Sequence, residues 1–145
     1  VTGVQTCALP IFTGRPFTAA LPAHSQRTHD VRIGLEVPRD VLAQRIRTRV
    51  ERMWAAGLVD EVRALETLGL RKGFTASKAL GYQQVLAYLA GDCTEQEARE
   101  ETVAGTIRFA KRQMQWFRRD PRITWIPFDA PDLVTRALEL VDSAR

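Results

Sequence analysis

The chain has few of the residues that cross-link small exported proteins or hold metal ions. Two cysteines and two histidines occur among its 145 residues. Cys7 and Cys93 are far apart and neither belongs to a Cys-x-x-Cys pair, so the sequence indicates no disulfide framework and no zinc site. His24 and His29 lie in a polar stretch without Cys, Asp or Glu at ligand spacing, which favours solvated histidines over metal ligands. The pattern favours a reduced, cytoplasmic setting.

Long hydrophobic runs are also missing from the sequence. No apolar segment approaches the roughly 20 residues that a membrane-spanning helix needs, so we expect no membrane anchor. The chain also lacks a Gly-x-x-x-x-Gly-Lys-Ser/Thr loop, the motif whose backbone amides bind phosphates in P-loop proteins.

The charge is modestly positive but unevenly distributed. Lys and Arg number 21 against 17 Asp and Glu, a net charge of +4, and the 45% hydrophobic content is typical of a globular domain. A net charge of this size does not by itself imply an acidic partner. The cations, however, concentrate in residues 45–52 and 108–119, whereas carboxylates occupy residues 95–101.

Residues 1–11 differ in character from the rest of the chain. They contain no initiator Met, no basic start and no small-residue cleavage pattern, so they do not resemble a signal peptide. They resemble translated adapter sequence of the kind found at the ends of assembled reading frames. We therefore interpret residues 1–11 as a non-native leader and residues 12–145 as part of one domain.

Hydrophobic periodicity predicts a mostly helical α/β fold. Val31–Val37 and Ile123–Ile126 have strand character, and residues 13–30 predict a short helical turn followed by a loop. Two short strands are marginal as a sheet by themselves, so we expect them to complete a larger one. Helices are predicted from Pro38 to Gly57, Val59 to Leu68, Ser77 to Leu89, Thr94 to Pro121, and around Leu133 to Val141.

The fourth of these helices ends in two chemically opposite faces. At 100° per residue, its polar groups share an arc of about 120° and its apolar groups lie on the other side. A basic arc of this kind can contact phosphates, although a solvated surface is the alternative. The polar arc comprises Arg108, Lys111, Arg112, Gln115, Arg118 and Arg119, and the apolar side comprises Ile107, Phe109, Ala110, Met114, Trp116 and Phe117.

The first helix carries a second group of cations. Arg45, Arg49 and Arg52 share an arc of about 60° beside an apolar stripe. They could bind an anion, or they could cover the edge of the stripe with their methylene groups.

Three segments form an ordered set of motifs. They are Arg45-Ile46-x-x-Arg49-x-x-x-Met53-x-x-x-Gly57-Leu58-x-x-Glu61-Val62, then Ala79-Leu80-Gly81-Tyr82-Gln83-Gln84-Val85, then Ala110-Lys111-Arg112-Gln113-x-x-Trp116-Phe117-Arg118. In this order they resemble the tRNA dimethylallyltransferases, also called tRNA isopentenyltransferases. The resemblance extends from about Phe12 to about Phe128 and covers only the C-terminal part of that family's protein.

The resemblance implies a fold, a reaction and a set of partners. The fold would be the C-terminal part of a P-loop-type, nucleotide-binding α/β core with packed helices. The reaction would move a dimethylallyl group from dimethylallyl diphosphate to an adenosine in the tRNA anticodon stem-loop, with Mg²⁺ bound by the missing N-terminal part. Since the P-loop and the catalytic Asp would lie upstream, we expect this chain alone to be inactive, and the complete enzyme to be a monomer.

The resemblance also assigns site residues. Arg49 and Arg45 would contact the diphosphate. Lys78 and Gln83 stand where many relatives have Arg, and both departures weaken the assignment. Lys78 keeps the positive charge but loses the planar guanidinium, so a single phosphate contact is expected there rather than a bidentate one. Trp116 is on the apolar side, so we expect it to pack in the core, and Arg112 is at the centre of the basic arc. The tRNA contacts would be Lys78, Ala79, Leu80, Gly81, Tyr82, Gln83, Lys111, Arg112, Gln113, Met114, Gln115, Trp116, Phe117 and Arg118.

Other interpretations remain open at this level. Tyr82 could be a core residue and Gly81 a packing glycine. The chain could also be a non-catalytic helical nucleic-acid-binding module, with a helix-turn-helix over residues 40–68. Against this, the cations are on the first of the two helices, whereas a recognition helix would be the second.

Overall fold

The computed structural model describes residues 30–144. The leader assignment, the turn and loop predicted for residues 13–30 except Asp30, and both histidines fall outside this range. Residues 31–144 belong to one unit. Its elements are strand β1 (Arg32–Glu36), helices α1 (Arg39–Ala55), α2 (Leu58–Thr67), α3 (Tyr82–Ala90) and α4 (Glu95–Phe117), strand β2 (Ile123–Pro127) and helix α5 (Leu133–Asp142), with short 3-10 turns at Leu70–Lys72 and Ala76–Lys78 between α2 and α3.

The two predicted strands are confirmed, and they pair with each other. β1 and β2 run parallel, with Arg32 opposite Ile123 and Glu36 opposite Pro127. A parallel pair needs a long crossover connection, and here α1 to α4 supply it. On β1, Ile33 and Leu35 remain 36% and 48% exposed, so the described residues leave much of this strand's apolar surface uncovered.

The core lies between α1, α2, α3 and the first part of α4. Each helix has apolar residues at a spacing of three to four, so these residues form a stripe along one side of the helix. The stripes of the four helices can therefore pack against one another in a shared core. α4 is the central element and contacts both α1 and α3. The buried cluster consists of Ile46, Val50, Trp54, Leu58, Val62, Val85, Leu86 and Ala98. None of the described helices is long and apolar enough to cross a membrane.

The start of α4 has the predicted cap. The Thr94 hydroxyl accepts a hydrogen bond from the Glu97 backbone N–H at 3.2 Å, and the Glu97 carboxylate accepts one from the Thr94 backbone N–H at 2.7 Å. These bonds satisfy backbone donors that the first helical turn leaves unpaired. The bonds from Thr94 also lower the pKa of Glu97, because they stabilise its charged form.

The sequence predicts a helix from Ser77, but in the structure this helix begins five residues later. Residues Ala76–Lys78 form a 3-10 turn, and α3 starts only at Tyr82. The break occurs at Gly81, whose φ of 97° is strained for any residue with a Cβ. The apolar periodicity of the segment continued across this glycine, so it did not reveal the break.

Asp120 connects the end of α4 to the sheet. Its carboxylate accepts hydrogen bonds from Arg122 Nε and Nη2, both at 2.7 Å, and from Arg32 Nη1 at 2.6 Å. The side chain is 13% exposed. The Arg122 hydrogen bonds, followed by the bond from Arg32, hold the pKa of this carboxyl far below its ordinary value.

Candidate functional site

The C-terminal half of α4 is less buried than its sequence pattern predicts. Ile107, Ala110 and Met114 face α1, whereas Phe109 is 44% and Trp116 is 57% exposed. The expectation that Trp116 packs in the core is therefore wrong. The apolar side of this helix spans about 180°, and α1 covers only one part of it. The other part, which also includes Phe117 at 48% exposed, is left about half exposed by the described residues.

The cations of this helix lie at the surface. Arg108 forms an ion pair with Glu101, and Arg118 pairs with Glu36 at 2.8 Å, but both arginine side chains remain more than half exposed. Lys111 and Arg112 are exposed and form no ion pair within residues 30–144. Since exposed ion pairs contribute little, all four cations remain available to an anionic partner.

A cleft of about 470 Å³ lies between the start of α1 and the end of α4. It opens beside Val37, just past the carboxyl end of β1, the edge at which α/β proteins commonly bind ligands. One wall is apolar and the rim is cationic. The apolar lining is Val37, Leu42, Ala43, Ile46, Ile107, Ala110 and Met114, and the polar lining is Arg39, Lys111, Gln115, Arg118 and Arg119.

The cleft divides the residues of the 111–118 segment into two groups. Lys111, Met114, Gln115 and Arg118 line it. The remaining members, which are Arg112, Gln113, Trp116 and Phe117, are exposed outside its lining. A ligand in the cleft and a ligand on the outer surface of α4 would therefore contact different residues of the same short helix.

The arginines of α1 share a surface, as predicted. Arg45, Arg49 and Arg52 line one shallow depression together with Gln44 and Thr48. The Arg45 guanidinium lies 4.5 Å from the centre of the Phe128 ring, a cation–π contact with the residue that follows β2.

Arg49 also lines a second, smaller cavity of about 190 Å³. Leu80, from the segment that precedes α3, contributes to the same cavity. Gly105 of α4 allows the close approach, since a Cβ there would lie 2.8 Å from Leu80 Cδ2. The cavity thus brings the α1 arginine and the 78–83 segment together, and its other lining residues are Ile46, Val50, Met53, Thr102 and Thr106.

The 78–83 segment is held by contacts at each end. The Lys78 ammonium lies 4.1 Å from the centre of the Phe74 ring. The Gly81 N–H donates to Gln84 Oε1 at 2.9 Å, and Gln83 donates its backbone N–H to the Ala79 carbonyl at 3.0 Å. Ala79 and Gln83 are exposed, and Leu80 is 41% exposed. The segment therefore offers several exposed groups on an ordered turn.

Tyr82 has a partner that the sequence did not predict. Its hydroxyl donates a hydrogen bond to the Glu61 carboxylate at the start of α2, while its ring packs against the buried cluster. The Glu61 hydrogen bond, with smaller effects of burial and of the negative charge, raises the pKa of Tyr82. No local pattern could have revealed this pair, because 21 residues separate its members.

The helix-turn-helix alternative is weakened by the charges of α2. This second helix carries Asp60, Glu61 and Glu66 but only one cation, Arg63, which pairs with Asp60. Because this helix is negatively charged overall, phosphates would repel it from a DNA groove. Within residues 30–144, no group of three or more His, Cys, Asp or Glu is placed to hold a metal ion.

A family model described as IPP transferase matches residues 6–120. The match begins inside the segment interpreted as a leader, so that assignment stays a prediction. The tRNA dimethylallyltransferase of Thermobifida fusca is 67% identical over 129 residues, which are 89% of this chain and 40% of the relative. That of Streptomyces avermitilis is 65% identical over 121 residues, covering 83% of this chain and 39% of the relative.

Solved structures agree with the sequence relatives. The full-length tRNA isopentenylpyrophosphate transferase of Bacillus halodurans superposes with a TM-score of 0.76 at 33% identity, over 81% of this chain and 40% of that one. The tRNA delta(2)-isopentenylpyrophosphate transferase of Staphylococcus epidermidis gives a TM-score of 0.68 at 27% identity, over 78% and 37% of the two chains. The chain thus spans about 40% of the length of the relatives it matches.

Proposed function

Because the chain belongs to the IPP transferase family, we propose that it is the C-terminal part of an enzyme that prenylates tRNA. The enzyme transfers a dimethylallyl group from dimethylallyl diphosphate to the N6 amine of the adenosine beside the anticodon. Two lines of support are the names of the relatives and the fold shared with solved members. The rival, a non-catalytic binding module, has no comparable support.

The observation that carries the proposal is the cavity of about 190 Å³ lined by both Arg49 and Leu80. A transfer reaction requires the donor and the acceptor to approach within bonding distance. Arg49 is the candidate for the donor's diphosphate, and Leu80 belongs to a candidate tRNA segment. Their shared cavity supports a site at which the two substrates meet.

The chemistry explains why an arginine is needed there. The bond between the dimethylallyl carbon and the diphosphate oxygen breaks, the amine nitrogen forms the new bond to carbon, and a carboxylate takes the amine proton. Negative charge therefore builds on the departing oxygen. Arg49 and Arg45 would stabilise this charge by hydrogen bonds that strengthen as the diphosphate leaves.

Mg²⁺, which we assign to the N-terminal part of the enzyme, would further neutralise the diphosphate. We therefore assign to this part of the enzyme the arginine contacts with the donor and the binding of tRNA. For tRNA, the cations of α4 would hold phosphates, with Lys111 and Arg118 at the cleft and Arg112 on the outer surface.

The proposal is tested by Arg49→Ala in the complete gene product. Loss of a preorganised guanidinium at the leaving group is worth about 2 to 4 kcal/mol, so single-turnover transfer at saturating tRNA should fall about 30- to 900-fold. Arg49→Lys should recover only part of this rate, because a point charge cannot reproduce the planar fork.

Arg47→Ala is the matched control. Arg47 is exposed on the same helix but lines neither of the two cavities that Arg49 lines, so its loss should leave transfer nearly unchanged. If Arg49→Ala lowers only the melting temperature and not the rate or the donor affinity, Arg49 is structural. The 145-residue chain by itself should transfer no labelled dimethylallyl group, and turnover above a no-protein control would contradict that.

A further inference from the structure

Phe74 is unusually exposed for an aromatic side chain, at 81%. It lies at the tip of the connection between α2 and α3, between the two 3-10 turns. Hydrogen bonds order this connection, because the Ser77 hydroxyl donates to the Gly73 carbonyl at 2.6 Å and the Lys78 N–H donates to the Thr75 carbonyl at 3.2 Å. The ring is thus presented to solvent by an ordered turn.

Three cations lie within four residues of Phe74 along the chain, and they have different roles. Arg71 pairs with Glu66 and donates to the Leu86 carbonyl at 3.1 Å, so it ties the turn to α3. Lys72 is exposed, and the Lys78 ammonium lies 4.1 Å from the ring centre. Lys78 therefore places positive charge beside an accessible aromatic ring, and Lys72 is a second exposed cation two residues before Phe74.

An exposed aromatic ring with adjacent cations matches the chemistry of unpaired nucleic acid. A base released from its helix loses stacking, and an aromatic side chain can replace that contact while nearby cations hold the flanking phosphates. An apolar protein partner would not use the two lysines. Lys78 is also the first residue of the 78–83 segment, so Phe74 would extend a surface already proposed to face RNA.

We propose that Phe74 is a stacking platform for one unpaired base of an RNA loop, with Lys72 and Lys78 contacting the phosphates on either side of that base. This inference rests on the proposed function, which supplies a tRNA anticodon loop as the RNA. It adds an aromatic contact outside the segments 78–83 and 111–118.

The test measures binding of an anticodon stem-loop RNA to the complete gene product, with 2-aminopurine substituted at single loop positions. Phe74→Leu keeps an apolar side chain but removes the aromatic face, so affinity should fall about 5- to 150-fold, the usual loss for one stacked base. Phe74→Trp should bind as tightly as the wild type or more tightly, and should quench the fluorescence at one loop position.

Leu68→Ala is the control, since Leu68 is 83% exposed directly after α2 and offers an exposed apolar side chain without an aromatic face. Phe74→Leu and Leu68→Ala should both melt at the wild-type temperature. Unchanged affinity in Phe74→Leu, or an equal loss in Leu68→Ala, would overturn the stacking role. If the stacking role is overturned but the wild-type protein transfers the dimethylallyl group, the proposed function stands. If RNA binding depends on Phe74 but no transfer occurs, the proposed function fails and the stacking site stands.

Discussion

Trp54 and Trp116 illustrate two regions that obey the same sequence pattern and differ in structure. Trp54 is in the middle of the buried cluster and is 6% exposed, whereas Trp116, near the end of α4, is 57% exposed. Each is on the apolar side of an amphipathic helix. Trp54 packs in a cluster formed by several helices, whereas the described residues leave more than half of the Trp116 side chain in water. Amphipathicity thus identifies an apolar side, and burial depends on whether a second element reaches it.

The same division occurs within α4 itself. Its first half buries Ala98, Thr102 and Gly105 against the other helices and carries carboxylates on its exposed side. Its second half carries cations and exposed aromatic side chains. The first half therefore packs against the other helices, whereas the second half remains at the surface of the described residues.

The largest expected effect separates the two tryptophans. Trp54→Ala removes a buried aromatic side chain and should lower the free energy of unfolding by about 3 to 5 kcal/mol. Trp116→Ala should change it by less than about 0.5 kcal/mol, because most of that side chain is already in water. Denaturant unfolding of the complete gene product measures both. Comparable losses would show that Trp116 is covered by a part of the protein outside residues 30–144.

A smaller effect is expected on RNA binding from the exposed end of α4. Lys111→Ala with Arg112→Ala should weaken tRNA binding and reduce the slope of log affinity against log salt by roughly 1.4 to 1.8, as expected for two lost phosphate contacts. Affinity for the donor diphosphate should be nearly unchanged. The control is Arg63→Ala with Arg136→Ala, which removes from α2 and α5 two cations that are paired with carboxylates. If the slope does not change while the fold is intact, the basic arc is a solvated surface.

The sequence predicted the elements well because their signals are local. The strands, the Thr94 cap and the shared face of Arg45, Arg49 and Arg52 follow from spacings within a few residues, and the structure confirms them. The start of α3 was placed wrongly because a left-handed glycine interrupts a continuous apolar pattern.

The site was less accessible to sequence reasoning because its contacts are long-range. The pair of Tyr82 with Glu61, the cavity shared by Arg49 and Leu80, and the exposure of Phe74 depend on how separate helices pack. The family resemblance assigned candidate segments, but only the packing shows which of their residues share a cavity.

The region beyond α4 is anchored by charge at Asp120 as well as by burial of Ile126, and the charged anchor predicts a pH effect. The pKa of Asp120 is lowered in the fold from an ordinary value of 3.8, so its contribution to stability is present above that pH and is lost as the pH falls toward the lowered folded value. Asp120→Asn should lower the melting temperature at neutral pH, and the difference from the wild type should shrink below about pH 4. Hydrogen exchange should show β2 opening before the helical core. A difference that is constant with pH would mean that the carboxylate's charge is not what anchors the strand.

Only a small effect on stability is expected at Gly105, where the buried half of α4 meets the candidate site. A Cβ at this position would lie 2.8 Å from Leu80 Cδ2, but Leu80 is 41% exposed and its side chain can rotate away. Alanine also favours the helix over glycine by about 1 kcal/mol, so Gly105→Ala should leave the free energy of unfolding within about 1 kcal/mol of the wild type.

Transfer should nevertheless slow in Gly105→Ala, because the displaced Leu80 changes the cavity that it shares with Arg49. Leu80→Ala in the same protein removes the atom that would clash, so the combined variant should differ from Leu80→Ala alone by less than Gly105→Ala differs from the wild type. This double-mutant cycle separates a local steric coupling from two independent losses. Strictly additive effects on the transfer rate would show that the two residues do not act through the same cavity. A loss of stability above about 2 kcal/mol in Gly105→Ala would instead show that Leu80 is held in place and that the segment before α3 is part of the rigid core.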